Sequence, residues 1–255
     1  MTKSAKIAVV VSILAVITLL IVVSSTIFAL ESARVIWYNT PNNTLASISS
    51  ETMLENTGVR GQSVFVLDKK RAKENLEKKY PKMRVIDLEV AWPNIINIHA
   101  IERQQVYAVK LSDTKFAIVD EYLKILDIKN SFSSTQTNEI LTEIKDLEDK
   151  NYKIGDTIAF EYGDTFVNMY DAFTELSRNL TDMKALFSGI SYTNSKVTIN
   201  THFGVTIILD NPTINTSAKT RMAIKTFDLL STEDYGHGTI EVFVNSDNTI
   251  ESRYY

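Results

Sequence analysis

The chain has 255 residues, a net charge of −4, 44% apolar and 23% charged residues, and no cysteine. The missing cysteines exclude disulfides, thiol catalysis and thiolate metal sites. The charge excludes bulk attraction to nucleic acid. With 8 glycines and 4 prolines there is no long linker of the Gly/Ser or Pro type, so the bulk of the chain reads as one large or two modest domains.

Residues 7–30 carry no charge, proline or glycine. At ~1.5 Å per residue a helix of that length spans a ~30 Å hydrocarbon core, so a transmembrane helix is expected there. Lys3 and Lys6 precede it and Glu31 follows. Positive charge stays inside, so residues 1–6 are expected as a cytoplasmic tail and the rest outside the cytoplasm. A cleaved signal peptide is the rival. Its apolar region is ~7–15 residues and needs a small-x-small cleavage site, whereas Ala29 here places Ile27 at −3.

Residues 33–106 read as β-α-α-β-β. Residues 33–38 form the first strand, and residues 39–43 a turn. Ser49 or Ser50 caps a short helix that stops at Gly58. Asp68 caps a second helix with Ala72, Leu76 and Tyr80 on one face, ended by Pro81. Ile86, Leu88, Val90 and Trp92 alternate with Asp87 and Glu89, the pattern of a half-buried strand. Pro93-Asn94 turns the chain, and Ile96, Ile98 and Ala100 form the apolar face of the returning strand. The second helix region carries Lys69, Lys70, Arg71, Lys73, Lys78, Lys79, Lys82 and Arg84 against Asp68, Glu74 and Glu77. Lys69, Lys70, Lys73, Lys78 and Lys79 are candidate contacts for anionic headgroups or an acidic partner. A solvated helix face is the plainer reading.

Residues 107–255 form a second, α+β domain. Residues 107–111 and 115–120 alternate around Ser112-Asp113-Thr114, which predicts a hairpin, and residues 122–128 add a strand. Residues 131–137 read as a polar loop. Residues 139–149 read as an acidic helix with Ile140, Ile144 and Leu147 on one face. Asp164 caps an expected long helix whose stripe runs Phe166, Met169, Tyr170, Phe173, Leu176, Leu180, Met183 and Phe187. Strands at 197–200, 205–209, 239–244 and 249–255 and a helix at 217–230 complete the pattern.

Several short stretches in the first domain share one likeness. Gly58-Val59-Arg60-Gly61, Val64-Phe65-Val66-Leu67-Asp68, Leu76, Tyr80-Pro81, Val90-Ala91-Trp92-Pro93, Ile98 and Glu102-Arg103 resemble the POTRA domain of the bacterial cell-division family FtsQ/DivIB. Gln105 departs from it, standing where the family often has proline. In the second domain residues 204–209, a helix near Lys219, and Ile240-Glu241-Val242 resemble the family's C-terminal β domain. The resemblance implies an α+β fold: an N-terminal transmembrane helix, the POTRA domain over 33–106, then a mixed, mostly antiparallel domain over 107–255. It also implies a non-enzymatic bitopic scaffold at the division septum. Expected partners are FtsL and FtsB/DivIC-type proteins, with an effect on septal peptidoglycan synthase. A membrane-anchored cell-wall enzyme and a POTRA-bearing export or chaperone component are the alternatives.

Catalytic patterns are thin. Ser112–Lys115 matches S-x-x-K and Ser246-Asp247-Asn248 matches S-D-N, but no K-T-G follows; Lys219-Thr220-Arg221 and Lys225-Thr226-Phe227 are nearest. His99, His202 and His237 are isolated, and none belongs to an H-E-x-x-H. No catalytic, cofactor or metal residue is assigned. The expected binding site is the last strand, which reads as a sheet edge open to a partner strand. Thr249, Ile250, Ser252, Arg253, Tyr254 and Tyr255 are its candidate contacts, with Arg253 expected to pair with an acid of the partner. The resemblance places FtsB/DivIC docking in the same region.

Overall fold

A computed structural model of the chain describes residues 3–39, 43–131, 142–144, 151–159, 163–176 and 180–255. It divides into two compact units, Met1–Arg103 and Gln104–Tyr255.

Unit 1 begins with helix α1 (Lys3–Ile27). Among the described residues no helix is long and apolar enough to cross a membrane. This corrects the expected transmembrane helix over 7–30. The apolar run leaves the helix before its end. Ala29 bridges to Ser63, and Leu30 is fully buried in the core of the unit.

Strand β1 (Ser32–Trp37), short helices α2 (Asn43–Ala46) and α3 (Ser50–Thr57), helix α4 (Lys69–Lys79), and strands β2 (Met83–Ala91) and β3 (Ile95–Glu102) follow. The sheet order is β1-β3-β2, with β1–β3 parallel and β2–β3 antiparallel. Ser49 caps α3, and Gly58, at φ 71°, ends it in the left-handed region. Asp68 caps α4 by accepting the Arg71 N–H at 3.0 Å. Leu76 of α4 and Leu88 of β2 are buried in one core with Met53, Leu54, Ile96, Ile98 and Ala100.

Strand β2 does not alternate throughout. A register shift between Val85 and Asp87 changes its phase, so Val85 and Leu88 are both buried while Ile86 is 49% exposed. Trp92, the last apolar residue of the alternation, lies in the turn past the strand end and is 61% exposed.

Unit 2 holds strands β4 (Tyr107–Ser112), β5 (Lys115–Val119), β6 (Ile125–Lys129) and β7 (Thr142–Ile144), then helices α5 (Gly163–Glu175) and α6 (Leu180–Leu186). Strands β8 (Phe187–Thr193), β9 (Lys196–Thr201) and β10 (Thr206–Asp210), helix α7 (Thr216–Asp228), and strands β11 (Thr239–Val244) and β12 (Ile250–Tyr254) complete it. The strands form one sheet in the order β12-β11-β10-β9-β8-β7-β4-β5-β6. The β10–β11, β4–β7 and β7–β8 pairs are parallel; the other five are antiparallel.

Two expected helices change here. Of residues 139–149, the described piece is β7, a strand between β4 and β8 with Ile144 buried. Pairing on both sides overrides the local helix preference. Residues 132–137, and 139–141 and 145–149, lie outside the described residues. The long stripe from Phe166 is also divided. Helix α5 ends at Glu175, α6 starts at Leu180, and Phe187 opens a strand. Its ring packs edge-on against Phe173 at 5.4 Å, so the stripe continues into one core through three elements.

Candidate partner-binding edge

Strand β12 is the edge of the nine-stranded sheet, and among the described residues it pairs only with β11. Its hydrogen-bonding phase follows from one end. The Thr239 N–H donates to the Tyr255 carbonyl at 2.7 Å, and the Tyr255 N–H to the Thr239 carbonyl at 3.1 Å. Antiparallel ladders alternate bonded and non-bonded pairs. The pairs Glu241/Arg253 and Phe243/Glu251 are therefore bonded, and Ile250, Ser252 and Tyr254 turn their N–H and C=O groups away from β11.

The side chains of those three residues face inward. Ser252 Oγ lies 2.7 Å from Thr226 Oγ1 on α7. Ile250 and Tyr254 pack against the core. The Tyr254 hydroxyl donates to the Asp234 carbonyl at 3.1 Å, and burial raises its pKa above 10.0, with Asp234 adding to the effect. Its ring crosses Gly238, where a Cβ would collide with the hydroxyl and the ring edge. With φ +95° as well, glycine is required there.

Glu251, Arg253 and Tyr255 form the opposite, exposed face. The Arg253 guanidinium lies 5.3 Å from the Phe243 ring centroid and 5.6 Å from that of Tyr255. Its Nε donates to Glu241 Oε2 at 2.9 Å, and its Nη2 donates to the same oxygen. Glu241 Oε1 accepts from Lys196 Nζ at 3.2 Å, and Lys196 also lies 3.7 Å from Asp210. The contacts Arg253–Glu241–Lys196–Asp210 thus alternate in sign and link four strands. The Arg253 hydrogen bonds hold the Glu241 carboxyl below its usual 4.5; burial opposes them and Lys196 reinforces them. Arg253 therefore has an acid within its own chain, not one reserved for a partner. Thr249 belongs to the turn before β12, its N–H donating to Asn245 Oδ1 at 3.0 Å.

Sequence reasoning missed Glu241. Its one signal is a lone acid in the middle of an otherwise uncharged strand, Thr239–Val244.

On α4, Lys69, Lys70, Lys78 and Lys79 are exposed and Lys73 is partly buried. Glu77 turns inward instead. It accepts Arg103 Nη2 at 2.9 Å and the Val85 N–H at 3.0 Å, which ties α4 to β2 and to the Glu102-Arg103 corner.

Ser112 ends β4 and Lys115 opens β5, so the serine begins no helix. Ser246 lies in the β11–β12 turn, and four strands separate β11 from β4. At ~4.8 Å per strand the two patterns are about 24 Å apart and cannot share a substrate. His99 stands on β3, its Nδ1 2.9 Å from the Tyr38 hydroxyl. Among the described residues no three His, Cys, Asp or Glu side chains are grouped to hold a metal ion.

A cavity of about 160 Å³ lies between Asp210, Asn211, Ile214, Lys219, Val244 and Asn248. Lys219 is 1% exposed and donates to the Asp210 and Asn211 carbonyls at 2.5 and 2.9 Å. Burial lowers its pKa below 10.5, against the pull of Asp210. These bonds fasten α7 to the end of β10, a structural task for a lysine.

No protein-family model matches the chain, and no curated protein matches it significantly.

Proposed function

We propose that the chain is a non-enzymatic scaffold that takes up an extended partner segment along β12. The carrying observation is the outward phase of Ile250, Ser252 and Tyr254 at a sheet edge. Each offers one N–H and one C=O, and a typical backbone hydrogen bond contributes about 0.5–1.5 kcal/mol net. A partner strand pairing with all three gains register from the bonds and specificity from the neighbouring face. On that face Tyr255 and Arg253 are stacked and open, the residue types that most often anchor interfaces.

The resemblance of residues 58–103 to the FtsQ/DivIB family supplies the biological setting of the proposal. The scaffold would work outside the cytoplasm at a bacterial division septum. Its partners would be FtsL and FtsB/DivIC-type proteins, and the complex would help control septal peptidoglycan synthesis.

A backbone variant tests the edge. Ser252→Pro removes an outward N–H and leaves the donors facing β11 intact. Ser252→Ala removes only the bond to Thr226. Crosslinking and pull-down from cells should recover division proteins with wild type and Ser252→Ala, and lose them with Ser252→Pro at unchanged circular dichroism. Full recovery with both Ser252→Pro and a deletion of residues 253–255 would place the binding site elsewhere.

A further inference from the structure

Unit 1 exposes three large apolar side chains together. Phe65 is 65% exposed, Val66 71% and Trp92 61%. Phe28, Phe65 and Trp92 form a closed triangle, with ring centroids 5.2 Å (Phe28–Phe65), 5.5 Å (Phe28–Trp92) and 5.4 Å (Phe65–Trp92) apart. The backbone holds it in place. The Val64 N–H donates to the Phe28 carbonyl at 2.9 Å, the Leu30 N–H to Gln62 at 2.9 Å, and the Glu31 N–H to Asn94 at 3.1 Å. These bonds join the three chain segments that carry the rings. A rigid aromatic cluster left in water marks a docking surface.

Two further observations say what docks. The patch runs on into α1 through Ile27, 49% exposed, and Leu19 and Leu20 of the same helix are exposed too. Cations follow the patch in the chain: Lys69 and Lys70, both exposed, open α4 three and four residues after Val66. The nearest acid to Lys70 is Glu74 at 4.0 Å, itself largely exposed. Phe and Trp settle at the boundary between lipid headgroups and acyl chains, and neighbouring lysines add attraction to anionic headgroups.

We propose that unit 1 docks peripherally on an anionic lipid surface. Phe65, Val66 and Trp92 enter the headgroup boundary, and Lys69 and Lys70 face the headgroups. No helix has to cross the bilayer for this contact.

The test uses the full chain with Trp37→Phe, which leaves Trp92 as the sole tryptophan. It is mixed with unilamellar vesicles of phosphatidylcholine, with or without phosphatidylglycerol. With phosphatidylglycerol present, Trp92 emission should move to the blue and its quenching by iodide should fall. Lys69→Gln with Lys70→Gln should weaken this binding about 30-fold, since each cation near an anionic surface contributes about a factor of five. Phe65→Ser with Val66→Ser changes exposed positions only and should abolish the shift while circular dichroism stays unchanged. Protein that sediments with vesicles while Trp92 stays open to iodide would overturn the proposal, because α1 alone would then be the contact. A blue shift that grows with protein concentration in the absence of vesicles would also overturn it, in favour of self-association.

Discussion

Glu241 sits in the middle of β11 with Arg253 on one side and Lys196 on the other. Those bonds lower its carboxyl pKa in the folded state, Arg253 most strongly. A carboxyl of this kind stabilises the fold above its unfolded pKa and loses that contribution as pH falls through the folded value. Glu241→Gln should therefore be less stable than wild type near neutral pH. The difference should shrink as pH drops below about 4.5, the ordinary value for the group. Urea unfolding followed by far-UV circular dichroism measures it, and Trp37 and Trp92, both in unit 1, report on that unit separately. A difference that stays constant from neutral to acid pH would mean the network adds no pH-linked stability.

At the scale of elements, α4 and β2 make opposite cases. Helix α4 was legible because its cap, its apolar spacing and Pro81 all agree, and it runs as Lys69–Lys79 with Ala72 and Leu76 buried. Strand β2 was half legible, because the irregularity after Val85 leaves no mark in the composition. The two can be weighed together. Leu76→Ala should cost unit 1 about 2–5 kcal/mol in urea unfolding followed by tryptophan fluorescence. Ile86→Ala, at an exposed position, should stay within about 0.5 kcal/mol of wild type. Equal losses would put the buried phase of β2 where simple alternation had it. Strand β7 escaped the sequence for another reason: its residues favour a helix in isolation, and only β4 and β8 on either side make a strand of them. In the candidate site, strands β11 and β12 could be read from the sequence, while the edge position of β12 comes from the strand order of the folded sheet. The partner of Arg253 could not, because it depends on the register between β11 and β12. The aromatic triangle joins residues 28, 65 and 92, which only folding brings together.

At the scale of the molecule, unit 2 is one continuous sheet with an edge strand whose outward groups have a defined phase. Charges on that edge, Glu251 and Arg253, discourage unselective pairing, and Arg253 is held down by Glu241. A partner strand would extend the sheet without altering the core behind it, since Ser252 and Tyr254 are already fixed to α7 and to the Asp234 carbonyl. Residue-resolved amide hydrogen exchange of β12, alone and with the captured partner, tests this most directly. Strand addition predicts that Glu251 and Arg253 exchange slowly in both states, while Ile250, Ser252 and Tyr254 exchange fast alone and slowly in the complex. Unchanged fast exchange at those three amides in a formed complex would contradict it.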